Sequence, residues 1–122
     1  MESPYKGKTG LVRLWNAFGY SLAGFRAAYK HEDAFRQELL LACILIPTAA
    51  YLPVGVAMKC MMISSVLAVL VVELLNSGIE AVTDRVSLED HALAKRAKDL
   101  GSAAVLLSVA NVIFVWALAL LA

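Results

Sequence analysis

Glu73, Asn76, Ser77, Glu80 and Asp84 are the residues of this chain whose types and spacing could do chemistry. They close an apolar segment that begins near Cys60. A helix turns by ~100° and rises by ~1.5 Å per residue, so Glu73, Glu80 and Asp84 fall within roughly 20° of one line, with Asn76 and Ser77 flanking it. A carboxylate in hydrocarbon costs roughly 2.5 kcal/mol or more, so three in a row need a shared reason. The stripe implies a polar, water-reached cavity, and a divalent cation is the natural partner of such a cluster. Phosphoryl transfer at a membrane surface fits these groups. It needs a cation held by carboxylates, a positive group on the phosphates and an acceptor for the proton of the attacking hydroxyl. Glu32 and Glu80 could hold the cation, and Lys98 and Arg13 could meet phosphates. Glu73 lies deepest, about 16 Å from Asp84 along the helix, where the hydroxyl of a lipid would be.

The elements that must position these groups are membrane helices. The chain has 122 residues, enough for one domain. Apolar residues make up 61% of it, above the ~45–50% of soluble domains, and only 17% are charged. Lys59 is the sole charged side chain between Glu38 and Glu73, and none follows Asp99. This is an all-α integral membrane protein with three spans and an amphipathic surface helix. Net charge is near zero and says little about partners; no nucleic-acid partner is expected. Cys43 and Cys60 both sit in apolar segments and read as small hydrophobes rather than a disulfide or metal pair. No signal peptide is expected, because the early basic residues are not followed by an uninterrupted apolar core.

Residues 1–10 read as a tail. Leu11, Leu14, Trp15, Phe18, Leu22, Phe25 and Tyr29 then recur at three and four, with Arg13, Asn16, Ser21 and Arg26 off that stripe. The pattern predicts an amphipathic helix over about 11–30, suited to the membrane interface; packing against the rest of the protein is the alternative. His31-Glu32-Asp33 is a polar break. Spans are expected over about 34–52, 56–82 and 98–121, in a single domain covering 1–122. Pro47 should kink the first, and Leu52-Pro53-Val54-Gly55 should form a tight turn. Ser87 is a candidate N-cap in a charged connection over 85–98, with His91 in the loop. Asn111 is expected to orient packing through an interhelical hydrogen bond.

Positive charge sets the orientation. Lys6, Lys8, Arg13, Arg26, Lys30 and Arg36 precede the first span, and Arg85, Lys95, Arg96 and Lys98 follow the second, whereas the 53–59 turn holds only Lys59. The N-terminus and the second connection are therefore expected in the cytoplasm, with the polar stripe opening toward Mg²⁺ and nucleotide. Glu32, Arg36 and Glu38 stand at the same level, Glu32 and Arg36 at the spacing of an ordinary helical ion pair. Lys95, Lys98, Asp99 and Ser102 share a face of the third span. Gly7-Lys8-Thr9 resembles the end of a phosphate-binding loop, but Glu2 stands where its first glycine is needed. His31-Glu32 lacks the second histidine of a zinc-protease helix.

Glu73-Leu-Leu-Asn76-Ser77-Gly-Ile-Glu80-Ala-Val-Thr-Asp84-Arg85 and Ala97-Lys98-Asp99-Leu-Gly101-Ser102-Ala-Ala-Val closely resemble the prokaryotic integral-membrane diacylglycerol kinases. Gly19-Tyr20-Ser21, Gly24-Phe25-Arg26-Ala27-Ala28 and Glu32-Asp-Ala-Phe35-Arg36-Gln37-Glu38 extend the likeness to about residues 11–116. The resemblance implies a homotrimer of three-span subunits in the bacterial inner membrane, with composite sites between subunits. It implies ATP-dependent phosphorylation of diacylglycerol to phosphatidic acid. It makes Glu73 the general base and gives Glu32 and Glu80 the Mg²⁺ that bridges ATP. Arg13, Tyr20, Glu89, Asp90, His91, Lys98 and Asp99 would contact nucleotide. Arg26 and much of the 17–29 helix would meet lipid, with Glu38, Asn76 and Ser102 in support. Undecaprenol kinase, a relative with the same metal and nucleotide logic, is the alternative. A proton-coupled transporter would explain one buried carboxylate but not the acids clustered with Lys98-Asp99.

Overall fold

The computed structural model describes residues 9–86 and 91–122. They form four helices, α1 (Gly10–His31), α2 (Asp33–Tyr51), α3 (Val56–Val86) and α4 (His91–Leu121), with no strand among the described residues. Helices α2, α3 and α4 are each long and apolar enough to cross a membrane. This is an all-α membrane protein. In hydrocarbon every backbone polar group must be satisfied within its own segment, which a helix achieves and an open strand does not.

Gly10 opens α1 with φ +71°, a left-handed conformation that glycine adopts without the strain a side chain would bring. The apolar stripe of α1 is not covered by its own chain: Leu11 is 83% and Trp15 76% exposed, and Ala28 is the helix's only buried residue. This is the geometry of a helix whose apolar face is left for the membrane interface.

One residue, Glu32, separates α1 from α2. Its backbone is extended (φ −117°, ψ 107°), and its N–H still donates to Ala28 O at 2.9 Å. Arg36 locks this elbow. Its guanidinium donates to Tyr29 O (2.6 Å) and Lys30 O (3.2 Å), among the last carbonyls of α1, where cations are favoured, and it pairs with Asp33. The expected pairing with Glu32 is replaced, because the extended Glu32 backbone lies outside the helix that carries Arg36.

Helix α2 runs through Pro47 without interruption; Thr48 Oγ1 donates to Ile44 O at 2.7 Å beside it. Lys59, from the first turn of α3, reaches back to Ala50 O (2.7 Å) and satisfies a terminal carbonyl of α2. The turn between them comprises residues 52–55.

The most extensive packing is between α3 and α4, followed by α2 against α3. At the end of the bundle near the 52–55 turn, Ala49, Met62 and Val115 form a buried cluster, with Met62 wholly enclosed. Trp116 Nε1 donates across the helix pair to Met62 O at 3.2 Å. At 31 residues, α3 is about 46 Å long, against ~30 Å of hydrocarbon, so its polar end reaches beyond the apolar layer.

One expectation changes: His91 is the first residue of α4 and not a loop residue, so helix already precedes the span expected from about 98, as α3 continues past its expected span to Val86. Ala92 to Ala97 is rich in strong helix formers, and in a helix its charges face outward at no packing cost. The proposed cap at Ser87, with Glu89 and Asp90, lies outside the described residues. Asn111 is exposed on α4.

Candidate active site

Glu73, Asn76 and Glu80 follow one another at three and four residues and present one face of α3. Glu73 is 5% and Asn76 8% exposed. That face lines a polar cleft of about 470 Å³ closed by His31, Glu32, Asp33 and Ala34 from the α1–α2 elbow and by Ser102 and Val105 from α4. Three helices and a one-residue junction therefore meet at the carboxylate stripe. Asn76 Nδ2 donates to Glu80 Oε1 at 3.3 Å. Asn76 Oδ1 is buried with no partner among the described residues. It faces Gly101 of α4, whose missing side chain leaves room for the amide.

The electrostatics are one-sided. Glu32, Asp33, Glu73 and Glu80 line the cleft, and among the described residues no lysine or arginine lines it with them. Asp33 is exposed and paired with Arg36, but Glu73 is buried and Glu32 and Glu80 are partly so, and carboxylates placed in this way favour a cation. Among the described residues no three His, Cys, Asp or Glu side chains form a ready-made metal cage. The donor set suits Mg²⁺, a hard ion commonly held by one or two carboxylates while phosphate and water oxygens complete its shell. At the rim beyond the cleft, Lys98 Nζ stands 2.5 Å from Asp84 Oδ1 and ties α4 to α3. Lys95 pairs with Asp99 along α4 at 2.7 Å.

A second hollow of about 590 Å³ lies between α1 and α3 and shares His31 and Glu32 with the polar cleft. Its other lining groups, among them Phe25, Ala28, Leu74 and Gly78, are mostly apolar. An amphiphile could thus present a polar end to the carboxylates while its chains stay among apolar side chains.

Comparison with known proteins agrees with this geometry. The family model described as prokaryotic diacylglycerol kinase matches residues 19–120. The chain belongs to the prokaryotic diacylglycerol kinase family. It is 55% identical to the diacylglycerol kinase of Pseudomonas aeruginosa over 98% of this chain and 97% of that one. It is 50% identical to that of Haemophilus influenzae, covering 88% of this chain and 92% of the relative. It is 46% identical to that of Escherichia coli K12, covering 92% of each. Over these lengths the likeness takes in the surface helix, the three spans and the cleft.

Of the residues singled out in the sequence, Glu32, Glu73, Asn76, Glu80 and Ser102 come together in this kinase-family cleft. Glu38 does not: it borders a separate, apolar groove of about 230 Å³ with Leu41, Leu45, Val66 and Val109, and its Oε2 has no partner among the described residues. Lys98 and Asp99 are engaged at the rim. Arg13 and Tyr20 are exposed on α1 and do not line the cleft of their own chain. Arg26 borders an apolar hollow with Phe25, Tyr29 and Phe35. Glu89 and Asp90 lie outside the described residues. Sequence reasoning missed His31 and Asp33 as cleft residues. The signal was the contiguous polar run 31–33, which read only as a break between helices.

Proposed function

We propose that this kinase-family chain transfers the γ-phosphoryl group of ATP to diacylglycerol, giving phosphatidic acid and ADP. The lipid hydroxyl oxygen bonds to the γ-phosphorus, and the bond from that phosphorus to the oxygen retained by ADP breaks. Glu73 takes the hydroxyl proton. The observation that carries this reading is Glu73 itself: a buried carboxylate within a membrane-length helix, facing a polar cleft, in a chain of the diacylglycerol kinase family. A structural carboxylate gains nothing from that position, whereas a proton acceptor for a lipid hydroxyl must be there.

Glu32 and Glu80 would hold Mg²⁺, which when bound supplies positive charge to the β- and γ-phosphates as negative charge shifts toward the leaving oxygen. Lys98 adds a second positive group to the phosphates by leaving Asp84 for them. Arg13, Tyr20, Glu89, Asp90, His91 and Asp99 form the nucleotide's surroundings. Arg26 and the α1 face bordering the larger hollow hold the lipid, with Glu38, Asn76 and Ser102 in support. The active form is a homotrimer with sites shared between subunits. Arg13 and Tyr20 stand away from their own chain's cleft, and large apolar side chains such as Leu107 and Phe114 of α4 are uncovered. The protein lies in the bacterial inner membrane with its N-terminus in the cytoplasm, a reading supported by the lysines and arginines before α2 and after α3.

The purified protein in detergent, given γ-labelled Mg-ATP and either diacylglycerol or undecaprenol, should yield labelled phosphatidic acid from the first. Absence of label in both lipids would remove the kinase assignment. Label in undecaprenol alone would change the acceptor.

A further inference from the structure

Gly101 is the point at which α4 comes closest to the carboxylate stripe of α3. A Cβ added there would overlap the Asn76 amide oxygen and stand 3.1 Å from Asn76 Cγ, and the overlap is with a side chain that is itself 8% exposed. A buried amide enclosed on α3 has little room to yield. The other described glycines have open space where a Cβ would go, so Gly101 alone among them is held to zero side-chain volume by its surroundings.

The amide has two ends. Its Nδ2 donates to Glu80 Oε1 at 3.3 Å, and its Oδ1 is turned to Gly101 and has no donor among the described residues. In this orientation the donor end necessarily faces the carboxylate. A buried amide with one unpaired end would rotate toward any better partner, and the enclosing wall of α4 leaves it no such option. Gly101 therefore fixes Asn76, and Asn76 fixes which oxygen of Glu80 is engaged and which is left for the cleft.

We propose that Gly101 is a positioning residue: it sets the Asn76 amide that aligns Glu80 for the Mg-nucleotide. This rests on the reading of Glu80 given above. The Glu80 oxygen that Asn76 does not engage is the freer of the two to meet a cation, and an aligned carboxylate loses less freedom on binding than a free one. A methyl at position 101 pushes the amide off Glu80 without touching any ligand. The outer partners of metal ligands typically contribute ~10-fold to ~100-fold in metal affinity.

The test is a double-mutant cycle on binding of a magnesium-loaded, non-hydrolysable ATP analogue to the purified full-length protein, with thermal unfolding measured alongside. Gly101→Ala should weaken binding ~10-fold or more. It should raise the KM for Mg-ATP and the Mg²⁺ concentration needed for half-maximal rate, with a smaller change in kcat. In an Asn76→Ala background, which removes the amide, the same substitution should change affinity by less than about twofold. If Gly101→Ala alone does not fold, the double variant, freed of the overlap, decides the matter by comparison with Asn76→Ala. Equal affinities uphold the proposal. Additive losses, or full affinity in Gly101→Ala, overturn it. Wild-type protein that binds no Mg-nucleotide, or Glu80→Gln that binds it normally, would instead overturn the reading of Glu80 on which the proposal stands.

Discussion

The two ends of the α3–α4 pair are built on opposite terms. Around Met62 the helices meet through apolar side chains, Met62 is wholly enclosed, and the Trp116 N–H finds a partner in Met62 O. Around Glu73 to Asp84 the same two helices hold a buried carboxylate, Glu73, and an amide oxygen without a donor, and border a cleft that no lysine or arginine lines among the described residues. One end satisfies its polar groups and fills its space; the other leaves both incomplete. A helix pair with one settled end can hold an unsettled one in register. Groups left unpaired inside a protein are where a ligand gains most, because it supplies what the fold withheld.

Four substitutions would break or sharpen that contrast. Glu73→Gln keeps shape and removes the proton acceptor. Turnover should fall by ~10²-fold to ~10⁴-fold while Mg-nucleotide affinity stays close to wild type; a variant turning over normally would remove Glu73 from its role. Met62→Ala opens a cavity at the settled end and should lower stability by about 2–5 kcal/mol, read as an earlier unfolding transition, with little change in kcat of the folded fraction. If that variant lost turnover without losing stability, the two ends would not be independent. Glu80→Gln should weaken Mg-nucleotide binding by ~10-fold to ~100-fold with a smaller effect on lipid affinity. Trp116→Phe removes one interhelical hydrogen bond. It should cost roughly 0.6 kcal/mol, the scale of such bonds within membranes, and leave activity unaltered.

Much of this was legible in the sequence because its causes are local. The stripe at 73, 76, 80 and 84 shows itself by helical spacing and by the expense of charge among apolar residues. The spans show themselves by length, and α1 by its aromatic period. What stayed hidden depends on pairs distant in the chain or on helical phase. Glu38 lies five residues from Asp33, about 140° around α2, and borders a different groove from the one that Asp33 lines. The start of α4 at His91 was masked by dense charge that reads like a connection. The closeness of Gly101 to Asn76, 25 positions apart, leaves no trace in the composition of either segment.

The length of α3 has a consequence for how such an enzyme is supplied. A helix about 46 Å long puts its carboxylates near the level where lipid headgroups lie, while the rest of it stays among acyl chains. Extracting a two-chain lipid into water would cost ~0.8 kcal/mol for each methylene exposed, on the order of 20 kcal/mol in all for long chains. With the reactive groups brought to the substrate's own depth, that ascent is never made. The acceptor arrives by sideways diffusion in two dimensions, and only the water-soluble nucleotide has to cross from the third.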